Sequence, residues 1–353
     1  MNKQVIFLFL FTYLFFVGTT FSQELVNTDQ DNQVTELFLN NDPLPIKLNY
    51  SNKVLKKETN DSTYIESEIA FLTGDESMKN LEVKIRARGK YRRDNCYFLP
   101  MKMKMKKSVT QETLFEGNKK LKLVLPCFMA KSANDKVLRE YMAYRLYEII
   151  SPYHYNVRLL DIDFTEPKGS KVKSYNLKGF FIEDIDNVAD RCNGKQIKRS
   201  IHPLQQDDVC SVRNDFFQFM IGNTDYSSAY RHNEKLLFVD GNIMPIPYDF
   251  DMSGLVDASY SVVSVVQGQE LSITDVTQRL YRGFKRDPAI FQSVRQEFLD
   301  NKFKMLSIIN ELESSFDDPK EFAQARKFIN GFFEVLEDDN SYRKEILNVA
   351  RLE

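Results

Sequence analysis

The residue types best suited to chemistry lie between Met220 and Val256, in the run MIGNTDYSSAYRHNEKLLFVDGNIMPIPYDFDMSGLV. Asp225 stands in a loop, Asn233 follows, and Asp249-Phe250-Asp251 closes the segment. Between them the pattern is that of a hairpin. Lys235 to Val239 is a short apolar strand, Asp240-Gly241 is a strong two-residue turn signal, and Ile243 to Phe250 returns. Such a turn sets Val239 opposite Asn242, which carries Asp249 to a place opposite His232 and beside Asn233. Pro245 and Pro247 then fall where the N–H faces away from the partner strand, so their missing donors cost the ladder nothing. A loop aspartate, an amide and a returning aspartate at the open end of one hairpin are the parts of a phosphoryl-transfer site. Asp225 would accept the proton of an attacking hydroxyl. Asn233 and Asp249 would hold magnesium against phosphates, with Asp251 a second ligand or a supporting acceptor. His232 is placed to orient Asp249. The plain alternative is an acidic turn beside a structural hairpin, because Asp and Asn side chains favour turns by bonding nearby backbone.

Basic residues concentrate upstream, at Arg86, Arg88, Lys90, Arg92 and Arg93, and again at Lys102, Lys104, Lys106 and Lys107. Gly89 directly follows a basic strand in RARGKYRR, where a glycine permits a tight turn or the close approach of a phosphate to backbone. Arg86, Arg88 and Gly89 therefore form a candidate phosphate cradle, against the alternative of an ordinary turn with exposed arginines. The alternating lysines at 102, 104 and 106 share one strand face and read mainly as solvated.

The segments RARGKYRRDNC, KLKLVLPC, GNTDYSSAYRHN, PYDFDMSGLV and RLYRGF resemble an uncharacterised group of secreted Bacteroidetes proteins. GNTD, His-Asn and PYDFD are further similar to the catalytic and metal-binding segments of atypical kinases related to the spore-coat kinase CotH and, more distantly, to the HipA toxin kinases. The resemblance implies an α+β, two-lobed atypical protein-kinase-like fold. A β-rich N-terminal lobe with one orienting helix would span 34–184, and a mostly helical C-terminal lobe carrying the catalytic hairpin would span 185–353. It implies ATP and Mg²⁺ as cofactors, with Lys122 on a strand paired to Glu140 on the following helix, and Glu183 at the position where backbone contacts adenine. The resemblance is compatible with an exported protein substrate and leaves the acceptor open. Two other readings stand beside this one: a nucleotide- or glycan-binding surface protein that has lost transfer, and a metal-dependent hydrolase using the same carboxylates. Little ATP is present outside cells, which is a physical argument for the first of these.

The elements that must position these residues follow from periodicity. Ile46 to Tyr50, Tyr64 to Phe71, Leu81 to Arg88, Met101 to Lys106 and Lys120 to Leu125 alternate as half-buried strands. Asn156 to Phe164 and Tyr175 to Ile182 are two more. Asp135 to Ile150 is a helix with Leu138, Met142, Leu146 and Ile149 on one face, capped by Asn134 or Ser132 and stopped by Pro152. Ser211 to Ile221 is a helix feeding the Asp225 loop. Asp287 to Leu312 and Pro319 to Leu336 are amphipathic helices, with Phe291, Val294, Phe298 and Met305 as core residues. The first residues form an export signal, 1–22: Lys3 is the positive region, and Val5 to Val17 is an apolar run shorter than the roughly twenty residues that span a bilayer. A polar, disordered stretch, 23–33, would follow. No later segment reads as membrane-spanning, and a net charge of -2 with 28% charged residues gives no bias toward nucleic acid. The four cysteines in an exported chain suit two disulfides, Cys96 with Cys127 and Cys192 with Cys210. Zinc is disfavoured by the absence of any C-x-x-C.

Overall fold

The computed structural model describes residues 34–265 and 270–352. The predicted export signal, 1–22, and the predicted disordered stretch, 23–33, lie outside the described residues.

Seven strands close into a barrel. They are β1 (Leu44–Asn49), β2 (Ile65–Leu72), β3 (Met78–Ala87), β4 (Met101–Lys104), β5 (Lys120–Val124), β6 (Val157–Lys168) and β7 (Lys171–Ile182), in the order β1-β2-β3-β4-β5-β7-β6. Alternation makes each strand half-apolar, and the apolar half turns inward. Ile46, Phe71, Val83, Met103, Leu121 and Phe164 all line the buried interior. Closure comes from β1 and β6, which run parallel from Leu44↔Leu160 to Asn49↔Thr165 and leave no open edge. This overturns the two-lobed kinase-like expectation: the protein is a barrel-centred α+β fold. Alternation shows that a strand has a wet face, but it does not show which distant strand it meets, so the closure was invisible in the sequence.

A second, three-stranded sheet has the order β10-β9-β8, from β8 (Lys195–Ile197), β9 (Glu234–Val239) and β10 (Asn242–Pro247). Its hairpin runs in the expected register, from Asn242↔Val239 to Pro247↔Glu234, and Tyr248 N–H extends it by donating to the Asn233 carbonyl at 3.0 Å.

The principal helices are α1 (Asn52–Glu58), α2 (Lys90–Asn95), α3 (Ala133–Ile150), α4 (Ile185–Arg191), α5 (Asp208–Met220), α6 (Pro288–Asp300), α7 (Lys302–Glu311) and α8 (Pro319–Glu337). A second apolar core forms around α3, α5, α6, α7 and α8 and one face of β10. Helix α3 packs on β6 and β7 to one side and on α7 and α8 to the other. It is therefore buried on almost every side rather than on one stripe, and its charged residues must find partners inside. Asp135 accepts the N–H groups of Asp317 (2.7 Å) and Asp318 (3.2 Å), and Arg139 pairs with Glu321 at 2.7 Å. The helix expected over 287–312 is broken at Asn301 (φ -90°, ψ 0°), whose side chain donates to the Glu297 carbonyl at 2.9 Å.

Cys96 and Cys127 form the expected disulfide, with Cα atoms 4.5 Å apart. Cys192 and Cys210 do not pair, contrary to expectation; both are buried free thiols. Cys192 ends α4 and Cys210 begins α5, each already packed within the second apolar core. No helix among the described residues is long and apolar enough to cross a membrane.

Candidate active site

The Asp225 loop and the Asp249–Asp251 loop are joined through backbone. Gly254 N–H donates to the Gly222 carbonyl (3.0 Å) and Leu255 N–H to the Ile221 carbonyl (2.9 Å). The seam requires glycine. A Cβ on Gly254 would lie 2.3 Å from the Val276 carbonyl oxygen, and Gly222 sits at φ +62° with Phe328 against it. Arg282, in the RLYRGF segment, is buried and donates to the carbonyls of Thr224 and Tyr226, clamping both sides of Asp225.

Asp225 is held on three sides. Its Oδ1 accepts from His232 Nε2 (3.2 Å) and Ser264 Oγ (2.9 Å), and its Oδ2 accepts from Asn233 Nδ2 (3.0 Å). His232 therefore orients Asp225 and not Asp249, and this bond raises the imidazole pKa. Asn233 commits its NH₂ to Asp225, which leaves its carbonyl oxygen as the atom that could hold a metal. Asn233 and Asp249 have positive φ, +53° and +68°, a backbone state that costs energy outside glycine. At Asp249 this turn ends the hairpin, and its N–H donates to the Tyr144 hydroxyl at 2.9 Å.

Asp225, His232, Asn233, Asp249 and Asp251 line one cleft of about 510 Å³, together with Arg88, Gly89 and Arg92 of the opposite wall. The convergence expected from the hairpin register is thus present. Carboxylate oxygens of Glu140, Asp249 and Asp251 lie within 4.8 Å of one another. Burial pushes Glu140 up to about 7, although Arg92 opposes it. Burial also raises Asp251, with Arg92 again opposing, whereas Arg88, Arg92 and Lys122 overcome burial at Asp249 and hold it low.

Arg92 is the residue that sequence reasoning missed. It is buried on α2, with Nε 2.7 Å from Asp251 Oδ2 and Nη2 2.9 Å from Glu140 Oε2. Glu140 was expected to pair with Lys122; its partner is Arg92 instead. Lys122 lies on the outer face of β5, with its ammonium over the rings of Tyr155 (4.7 Å) and Tyr248 (4.9 Å). Burial and the nearby Arg88 drop Lys122 to about 7. The only signal for Arg92 was its place in the basic run after Gly89.

Of the expected cradle, Arg88 reaches Asp249 at 3.7 Å, and Gly89 (φ +76°) opens α2 at the cleft wall. Arg86 faces a neighbouring basic cleft of about 410 Å³, which Arg88 and Lys122 also line. Glu183 does not reach either cleft. Its carboxylate accepts from Asn156 N–H (3.0 Å), Asn156 Nδ2 (2.9 Å) and Arg191 (3.2 Å), and its N–H donates to the Asn156 carbonyl. These bonds lock the end of β7 to Asn156 and Arg191.

No protein-family model and no curated protein matches this chain.

The clustered carboxylates could hold a hard cation, and one donor, Glu140 Oε1, is buried without a hydrogen-bond partner among the described residues. At present the Arg92 guanidinium supplies the balancing positive charge.

Proposed function

We propose that the protein is an exported, metal-dependent phosphotransferase that moves a phosphoryl group from a nucleotide to an acceptor hydroxyl. The observation that carries the reading is the meeting of Asp225, Asn233, Asp249 and Asp251 in one cleft, with Arg88 joining it to a wall of cations. The same residues make up the segments that resemble the CotH-related kinases, GNTD, His-Asn and PYDFD. The Cys96–Cys127 disulfide supports export to an oxidising compartment.

Asp249, Asp251 and the Asn233 carbonyl would hold the metal. When bound, it would neutralise phosphate charge and draw the transferring group into line. Asp225 offers about four lone-pair sites and uses three on His232, Ser264 and Asn233. The remaining site faces the acceptor. The acceptor O–H gives its proton to Asp225 as its oxygen bonds to phosphorus, and the bond to the leaving diphosphate breaks. Arg88 and Lys122 would take up the charge that grows on that leaving group.

The test is calorimetric titration of the mature protein with ATP, with and without magnesium, followed by a labelled-phosphate transfer assay. Transfer is expected only with magnesium, and magnesium is expected to tighten nucleotide binding beyond what the cations alone give. If nucleotide does not bind in the presence of magnesium, the proposal fails; if it binds and no acceptor or water receives the label, the protein is a binding module.

A further inference from the structure

The basic cleft carries more positive charge than its neighbours balance. On the outward face of the barrel, β3, β4 and β5 set like charges directly opposite one another: Arg86 faces Lys102, and Lys102 faces Lys122. Cross-strand like charges destabilise a sheet; a parallel row, Lys84–Lys104–Lys120, runs along the same strands, and what distinguishes Arg86, Lys102 and Lys122 is that all three line one cleft. From the other side the small sheet contributes Lys235 and the adjoining Lys198, and Lys120 completes the rim. The acidic groups lining the cleft are Asp184 and Asp186. They are taken by Lys102 (3.7 Å from Asp184) and Lys120 (2.7 Å from Asp186). Among the described residues Arg86 has one ion pair, with the exposed Asp61 at 3.3 Å. Among the described residues Lys122, Lys198 and Lys235 have no ion pair. Lys122 and Lys235 instead flank the Tyr248 ring, at 4.9 and 5.3 Å.

The same cleft has little with which to read a base. Gln196 is the amide in its lining, Ile185 and Tyr248 are its apolar lining, and the N–H and carboxylate of Glu183 are spent within the protein.

We infer that the basic cleft binds a chain of clustered phosphates, which it grips by charge, without a divalent ion and without recognising a nucleobase. Three cations lacking counter-charges and a fourth, Arg88, at the mouth match successive phosphoryl groups better than a single one. The low pKa of Lys122 agrees, because a bound anion would restore the charge that burial now disfavours. The inference shares Arg88 and Lys122 with the proposed transfer site and deepens it by naming what is gripped, but it needs no transfer chemistry.

The experiment is titration of the full mature chain, in EDTA, with inorganic triphosphate, ATP and AMP. Triphosphate and ATP should bind within a few-fold of each other, and AMP far more weakly. Lys122→Met and Lys235→Met should each weaken triphosphate about tenfold, the value of one charge-assisted contact. Lys104→Met, outside the cleft, should leave binding unchanged. Lys122→Met relieves a like-charge pair, so its melting temperature should not fall below that of the parent, which separates lost binding from lost folding. Absence of triphosphate binding in EDTA overturns the inference, as does an equal loss in Lys104→Met or AMP binding as tightly as ATP. Triphosphate binding without magnesium-dependent transfer would sink the phosphotransferase reading and leave this one standing.

Discussion

Replacing Arg92 by methionine removes the one cation lying between two buried carboxylates while keeping most of its packing volume. The guanidinium touches Asp251 at 2.7 Å and Glu140 at 2.9 Å, with side-chain exposures of 8% for Arg92, 3% for Glu140 and 10% for Asp251. Solvent screens such groups weakly, and breaking one partner out of a buried pair costs about 3–5 kcal/mol. For a chain of this size roughly 2 °C of melting temperature follows each kcal/mol, so a fall of about 6–10 °C is expected. The loss depends on pH. Glu140 already stands at about 7 and Asp251 is raised by burial; without Arg92 both rise further. An acid with a raised folded pKa gives stability that is complete below its unfolded pKa and is lost as pH rises through the folded value. The deficit of Arg92→Met should therefore be small near pH 5 and largest above pH 8. A divalent ion should repair it, since the carboxylate oxygens of Glu140, Asp249 and Asp251 lie within 4.8 Å of one another. At one hundred times its dissociation constant such an ion returns about 2.7 kcal/mol, or about 5 °C. Differential scanning fluorimetry at several pH values, with and without manganese, measures both effects. A variant melting within 2 °C of the parent at pH 8.5 would show, roughly, that the pair carries no weight. A variant that melts low but ignores manganese would remove the acidic cleft as a divalent site.

Three further outcomes are expected. Asp249→Ala should abolish magnesium-dependent nucleotide binding, while Asp225→Ala should keep binding and lose transfer by about 10²–10⁴-fold, equivalent to about 3–5 kcal/mol of barrier; equal effects on binding in both variants would contradict the division of roles. Converting Cys96 and Cys127 together to serine opens a loop with a sequence separation of 31. It should cost about 3–4 kcal/mol in a urea titration, and an unchanged midpoint would refute that estimate. Burial raises Glu234 to about 8 and Asp215 to about 7, so their protonated forms favour the folded state, and that contribution is lost as pH rises through those values. Lys122, lowered to about 7, acts in the opposite sense above that pH, so the parent's urea midpoint should fall mainly between about pH 5 and 7, and a midpoint rising across that window would contradict the assignment.

Local pattern made much of this molecule legible. The first strands of the barrel announce themselves by alternation, and the Asp240-Gly241 turn fixes the register that brings Asp249 back beside Asn233. What could not be read is non-local. The parallel β1–β6 pairing that closes the barrel joins strands more than a hundred residues apart, and alternation says only that each has a wet face. The same limit produced the wrong partner for Glu140. Position along the chain favoured Lys122, but the distance in space favours Arg92, which α2 lifts across the cleft. His232 failed differently: extending the register would set it opposite Asp249, yet the ladder ends at Pro247↔Glu234, the His232 backbone pairs with Ser227, and its side chain meets Asp225. Backbone pairing determines which residues are neighbours, and rotamers determine which of those neighbours touch.

Several costs in this structure fall together in space, although positive φ also occurs elsewhere, as at Glu76, Glu112 and Asn193. Positive φ at Asn233 and Asp249, three clustered carboxylates around one arginine, and a row of like charges across β3, β4 and β5 all lie around Arg88. Each feature is unfavourable taken singly, and none of these charged side chains belongs to the apolar core clusters. Local rules broken at scattered points would indicate tolerance; broken together at a cleft, they indicate a constraint other than folding. The two halves of that cleft also carry opposite charge, with carboxylates on one side of Arg88 and ammonium groups on the other. A ligand that satisfies both must itself be divided, anionic along most of its length and cationic at one end. A phosphate chain with a divalent ion at its terminus has that form, and a neutral glycan does not, so charge alone ranks the phosphate readings above the glycan one.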